Sequence, residues 1–238
     1  PPVPPNVAYF LEHGLRDGGR WRTPVILQLR PDIGEDDVRA VLTAVTGVHD
    51  ALRVHLVERA GTWEQHIADA GEFAELVTTQ LPGGTDGPDA GSPTEREAVQ
   101  AVLDEQIREH HLLTSPLTAT FIRGAAGGAS YLALGVHGIA GDVTGDSTSR
   151  DVLLTDIFTA FNQRMSGQAI ALAPVATSWR EWSQRCAGLA THPAVLESRD
   201  YWLETARKST LSIAGPVVSE PPGADDLVRL STTLSTAD

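Results

Sequence analysis

The sequence predicts a single α/β unit, a mixed β-sheet with helices packed on it. Segments in which large apolar residues alternate with small ones, such as Leu132, Leu134 and Val136, are interleaved with segments in which they recur every three or four positions, such as Leu153, Ile157, Ala160 and Phe161. The first spacing suits a strand and the second a helix. Neither an internal repeat nor a long linker interrupts this alternation over 238 residues, so residues 1–238 read as one domain with a sizeable core.

Element by element, residues 7–15 read as a short helix with Phe10 and Leu11 on its apolar side. Gly18 and Gly19 break the chain ahead of a strand at 24–29. Asp36 and Asp37 open the next helix, whose apolar positions Val38, Val41, Leu42, Val45 and Leu52 keep helical spacing and which ends on His49-Asp50-Ala51-Leu52-Arg53. Strands at 54–58 and 62–67 form a hairpin turning at Ala60-Gly61. A Gly/Pro-rich loop at 82–93 leads into a helix from Thr94 with Val99, Val102, Leu103 and Ile107 on one face. Strands at 117–122 and 130–136 follow, then a helix for which Ser149 is the expected cap. Ser178-Trp179-Arg180-Glu181 is a capping box opening a helix with Trp179, Trp182, Cys186 and Leu189 on one face. A last helix is expected over 194–206 and a strand near 228–234.

Composition excludes several classes. A formal net charge of −13 argues against a nucleic-acid partner, because phosphate binding needs clustered Lys and Arg. No apolar run approaches the roughly 20 residues of a membrane helix, and the opening Pro1-Pro2-Val3-Pro4-Pro5 is not a basic-then-apolar signal peptide. The lone Cys186 excludes an intrachain disulfide and a cysteine-based zinc site, which fits a reducing cytoplasm. With no initiator methionine, the chain reads as a segment of a longer polypeptide.

The strand 130–136 ends on His137, and a run rich in Gly, Thr and Ser follows. A strand that stops at a titratable ring and enters a loop presents a reactive group well. The run from Asp142 to Thr148 has calcium-loop oxygen spacing, yet Ser147 stands where the sharp turn needs Gly and Leu153 where a bidentate Glu should close the site. His110 and His111 are adjacent, so their rings do not converge on one metal, and no metal site is expected.

Together these stretches resemble one family, the condensation and epimerization domains of nonribosomal peptide synthetases. The segment His137-Gly138-Ile139-Ala140-Gly141-Asp142 resembles the family's HHxxxDG motif, and His49-Asp50-Ala51-Leu52-Arg53 resembles its HHDALR motif with Val48 at the first His. Residues 5–10 are similar to the PxQxxF opening of epimerization domains, 177–182 to TSFxEW and 200–203 to xYWL. Order and spacing agree from end to end.

That resemblance implies a chloramphenicol-acetyltransferase-like half-domain, the first of the family's two lobes, with the second absent from this chain. It implies substrates carried as aminoacyl or peptidyl thioesters on the phosphopantetheine of a peptidyl carrier protein, and no directly bound cofactor. Partners would be the carrier, neighbouring synthetase domains, and a second lobe or a homodimer. It also implies a structural ion pair between Asp142 and Arg53. The chain departs from the pattern where chemistry matters: the second histidine, usually the catalytic one, is Gly138, Val143 replaces the motif's glycine, and residues 145–148 read as inserted. The resemblance therefore favours a degenerate, noncatalytic lobe that serves as a scaffold or docking module. The alternative is a catalytic lobe with His137 as its base.

Overall fold

The computed structural model describes residues 1–12, 21–81, 93–109, 115–124, 129–140 and 147–208. In chain order the elements are α1 (Pro5–Glu12), β1 (Arg22–Leu29), α2 (Glu35–Val48), a 3₁₀ turn (Asp50–Arg53), β2 (Val54–Arg59), β3 (Thr62–Ile67), β4 (Leu76–Gln80), α3 (Pro93–Glu109), β5 (Leu117–Arg123), β6 (Ser130–His137), a second 3₁₀ turn (Gly138–Ala140), α4 (Ser147–Met165), α5 (Trp179–Leu189) and α6 (Pro193–Lys208). The expected strand near 228–234 lies outside the described residues.

A four-stranded sheet in the order β1-β6-β5-β4 organises the chain. β6 runs antiparallel to both neighbours, with Arg22 opposite His137 and Leu117 opposite Val136. β4 and β5 are parallel, which requires a crossover, and α3 lies in that connection. β6 is buried on both faces because its large and small residues alternate. Leu132 and Leu134 point into a cluster with Val38, Val41, Leu42 and Val45 of α2 and Leu153, Ile157 and Phe161 of α4. Ala133 faces the other way, toward Val99 and Leu103 of α3. The result is a sheet between two helical layers, the mixed architecture expected from the sequence.

β2 and β3 form a separate hairpin with Arg59 opposite Thr62. Its two connecting residues, Ala60 (φ 50°) and Gly61 (φ 78°), both have positive φ, the turn whose twist matches paired strands. Val54 and Leu56 of the hairpin pack with Val7 and Phe10 of α1 and with Ile139 in a third cluster.

Three elements differ from the sequence reading. β4 was not expected: it is an edge strand whose residues are exposed or half-buried except for Leu76, so it carries no alternating pattern. α2 stops at Val48, and His49-Asp50-Ala51-Leu52-Arg53 forms a cap and a 3₁₀ turn rather than the helix end. α4 starts at Ser147, which puts Ser149 inside the helix instead of at its cap. The Ser178 cap does form, its Oγ accepting from Glu181 N–H at 3.1 Å. Among the described residues no helix is long and apolar enough to cross a membrane.

Candidate functional site

The two motif segments meet where α2 ends, β6 ends and α4 begins. His49 caps α2, donating its N–H to Val45 O at 3.0 Å. Its ring leaves the helix axis and reaches α4, where Nε2 lies 2.6 Å from Asp156 Oδ2. Asp50 turns the other way. Its two carboxylate oxygens accept from Trp179 N at 2.7 Å and Arg180 N at 3.1 Å, so it caps the first turn of α5, where free N–H groups and the helix dipole favour an anion. Arg53 donates Nε to Ala68 O at 2.9 Å and Nη1 to Gly47 O at 3.1 Å and to Thr46 O. A cation on the last carbonyls of α2 offsets the negative end of that helix. The partner expected for Arg53, Asp142, lies outside the described residues, as do His110, His111 and residues 141–146 of the oxygen-rich run.

His137 is the last residue of β6 and only 1% exposed. Its N–H donates to Pro116 O at 2.8 Å. Its Nδ1 accepts the Ile139 N–H at 3.1 Å, which closes the 3₁₀ turn after the strand. Since a backbone N–H can only donate, Nδ1 carries a lone pair and the ring proton of the neutral imidazole sits on Nε2. The Phe10 ring meets it edge to face at 5.5 Å. Gly138 follows, held by its N–H to Trp21 O at 3.3 Å.

Arg22, opposite His137 in the register, is buried, with Nη2 donating to Ser115 O at 2.6 Å and Nη1 to Gly135 O at 3.3 Å. Burial pulls its guanidinium down to about 10, opposed by the nearby Glu75 carboxylate, and it stays charged at neutral pH.

These elements enclose a pocket of about 260 Å³. Val25, Leu52, Val136, Val152 and Leu153 make it largely apolar, while Thr23, His49, His137, Gly138, Ser149 and Arg150 supply its polar edge. The carboxylate of Asp156 stands behind His49 at the pocket wall. Sequence reading missed Asp156: it lies 107 positions from His49 and its only local signal is an acid one step off the Leu153–Ile157–Ala160 stripe of α4. Among the described residues no group of three or more His, Cys, Asp or Glu could hold a metal ion.

The Condensation domain family matches residues 7–237. This chain belongs to the condensation-domain family. A component of the phenolphthiocerol/phthiocerol polyketide synthase of Mycobacterium bovis is 53% identical to this condensation-family chain over 239 residues, covering 99% of it and 16% of the relative. A component of the linear gramicidin synthase of Brevibacillus parabrevis is 26% identical, covering 85% of this chain and 2% of the relative. The chain thus spans only a small part of the curated proteins it matches, which include both polyketide and peptide synthases. In structure it is similar to the epimerization domain from the third module of tyrocidine synthetase B, with a TM-score of 0.72 at 18% identity over 89% of this chain and 45% of that one. The fold is therefore the chloramphenicol-acetyltransferase-like one of condensation domains.

Proposed function

We propose that this chain is the first lobe of a condensation-type domain in a polyketide or peptide synthase, retained as a scaffold that receives carrier-borne acyl chains and docks neighbouring domains without catalysing the family's reactions. Condensation domains act on substrates tethered to phosphopantetheine and work beside carrier proteins, and the polyketide synthase relative makes an acyl rather than an aminoacyl cargo the better expectation here. One observation carries the noncatalytic reading: Gly138, which has no side chain, stands at the motif's second-histidine position on the pocket, while the His137 ring beside it, also part of the lining, is 1% exposed, meets Phe10 edge to face and has its Nδ1 lone pair engaged by Ile139 N–H. Loss of a general base commonly costs on the order of 10²–10⁴ in rate. For His137 to act as that base, its ring would have to release Ile139 N–H, which holds the Nδ1 lone pair. Domains of this fold are about twice as long as this chain, and a second half-domain would supply the facing wall that makes a tethered reaction effectively unimolecular.

The test is to load a carrier protein with an acyl or aminoacyl thioester and incubate it with the chain in deuterated water. No deuterium at the α-carbon and no condensation product are expected, while the carrier still associates with the chain. Exchange that disappears in His137→Ala would overturn the noncatalytic reading.

A further inference from the structure

Among the described residues, the His49–Asp156 pair is an ionisable couple beside the pocket that neither the motif geometry nor the proposed scaffold role uses. Asp156 Oδ2 sits 2.6 Å from His49 Nε2, and the two side chains are only 15% and 22% exposed. An ionised carboxylate can only accept, so Nε2 carries the proton and the neutral ring keeps its lone pair on Nδ1. Among the described residues no donor satisfies Nδ1, and His49 lines the pocket.

A largely apolar cavity whose edge carries Thr23, Ser149 and Arg150 and, at His49 Nδ1, an acceptor that no donor among the described residues satisfies suits a ligand with an aliphatic body and a hydroxyl. We propose that this pocket binds the hydroxyl-bearing part of an aliphatic acyl chain, with His49 Nδ1 accepting the hydroxyl proton and Asp156 holding the ring in the accepting tautomer. This rests on the reading that carrier-borne acyl chains visit the chain, and it names which of them the lobe recognises. A free hydroxy acid offers the same hydroxyl, with a carboxylate that Asp156 would repel and Arg150 at the pocket edge would attract, so the titration compares the two sources directly. His49 is a specificity-determining residue in this scheme and Asp156 a positioning one. No bond is made or broken.

The experiment is calorimetric titration of the purified chain at about pH 8, above the usual imidazole range, with β-hydroxydecanoyl-pantetheine, decanoyl-pantetheine and free β-hydroxydecanoic acid. The hydroxylated thioester should bind up to about tenfold more tightly than the other two, the worth of one net hydrogen bond. His49→Phe, which keeps a flat ring without an acceptor, should bind both thioesters equally. Asp156→Asn should reduce the preference without abolishing tail binding. Val152→Trp, at the half-exposed rim, should block both thioesters. The ring resonances of His49 should move with the hydroxylated thioester and not with decanoyl-pantetheine. Circular dichroism melts show which variants remain folded. Equal affinity for the two thioesters in the native chain, or no binding of either at millimolar concentration, would overturn the proposal and leave the pair as a bridge between α2 and α4. Tighter binding of the free acid would overturn the carrier-borne source. Docking of a carrier lacking its pantetheine arm, measured alongside, separates failure of this inference from failure of the scaffold reading.

Discussion

A Cβ built on Gly135 would lie 2.6 Å from Thr118 Oγ1, 3.2 Å from Ile107 Cγ1 and 3.3 Å from the buried Arg22 side chain. The glycine is there for space, since β6, β5 and α3 converge on it, and its carbonyl accepts from Arg22. Gly135→Ala should therefore cost about 1–3 kcal/mol, the usual penalty of overpacking a filled core, measured by urea unfolding. A neutral result would mean that α3 moves freely at this point. Arg53 acts at the same scale, with its guanidinium spread over three backbone carbonyls. Arg53→Ala should cost about 1–3 kcal/mol, because those carbonyls lose a charged donor, whatever Asp142 contributes.

Between elements, single carboxylates do the joining. Asp50 accepts from two N–H groups at the start of α5, and Asp50→Ala should lower stability by about 1–2 kcal/mol, as removal of a helix cap does. Thermal melts of Asp50→Ala and Asp50→Asn should order the two, the amide keeping one acceptor. Asp37 joins α2 to α4: Oδ1 accepts from Arg164 Nε at 2.8 Å and Oδ2 from Gly34 N at 3.1 Å. The Arg164 bond first, and the Gly34 bond after it, hold this carboxyl below its ordinary value of 3.8. A depressed folded-state value means that the contribution is present above 3.8 and is lost as pH falls through the lower, folded value. The stability gap between the native chain and Asp37→Asn should be about 1 kcal/mol at neutral pH, because the pair is partly exposed. It should close in strongly acidic solution. A gap that persisted unchanged there would show that the carboxylate charge is not what matters.

At the scale of the whole chain, α6 stands apart. It buries no residue, and Tyr201, Trp202 and Leu196 are 65%, 64% and 52% exposed. Trp182 and Leu189 of α5 are also exposed apolar residues, so the expected one-sided face of that helix is only partly covered. Large exposed aromatics concentrated in one region mark an interaction surface more often than chance. Trp202→Ser should change stability by less than about 0.5 kcal/mol, since no core contact is lost. It should nonetheless reduce any self-association of the chain seen by sedimentation velocity. A strongly destabilised Trp202→Ser would show instead that α6 belongs to the folding core.

The features legible in the sequence are those whose cause is local. The Ala60-Gly61 hairpin and the Ser178–Glu181 cap are set by residues a few positions apart, and the faces of β6, α2 and α4 by periodicities of two and about 3.6. Motif order likewise pointed to the family from residues 5–10 through 200–203. Tertiary structure alone decided what the motif residues touch. Asp50 finds α5 across 129 positions and His49 finds Asp156 across 107, because polar partners are chosen by three-dimensional proximity and leave no periodic trace. The edge strand β4 was illegible for a related reason: with one buried residue its hydrophobic pattern is silent, and only pairing with the buried β5 makes it a strand.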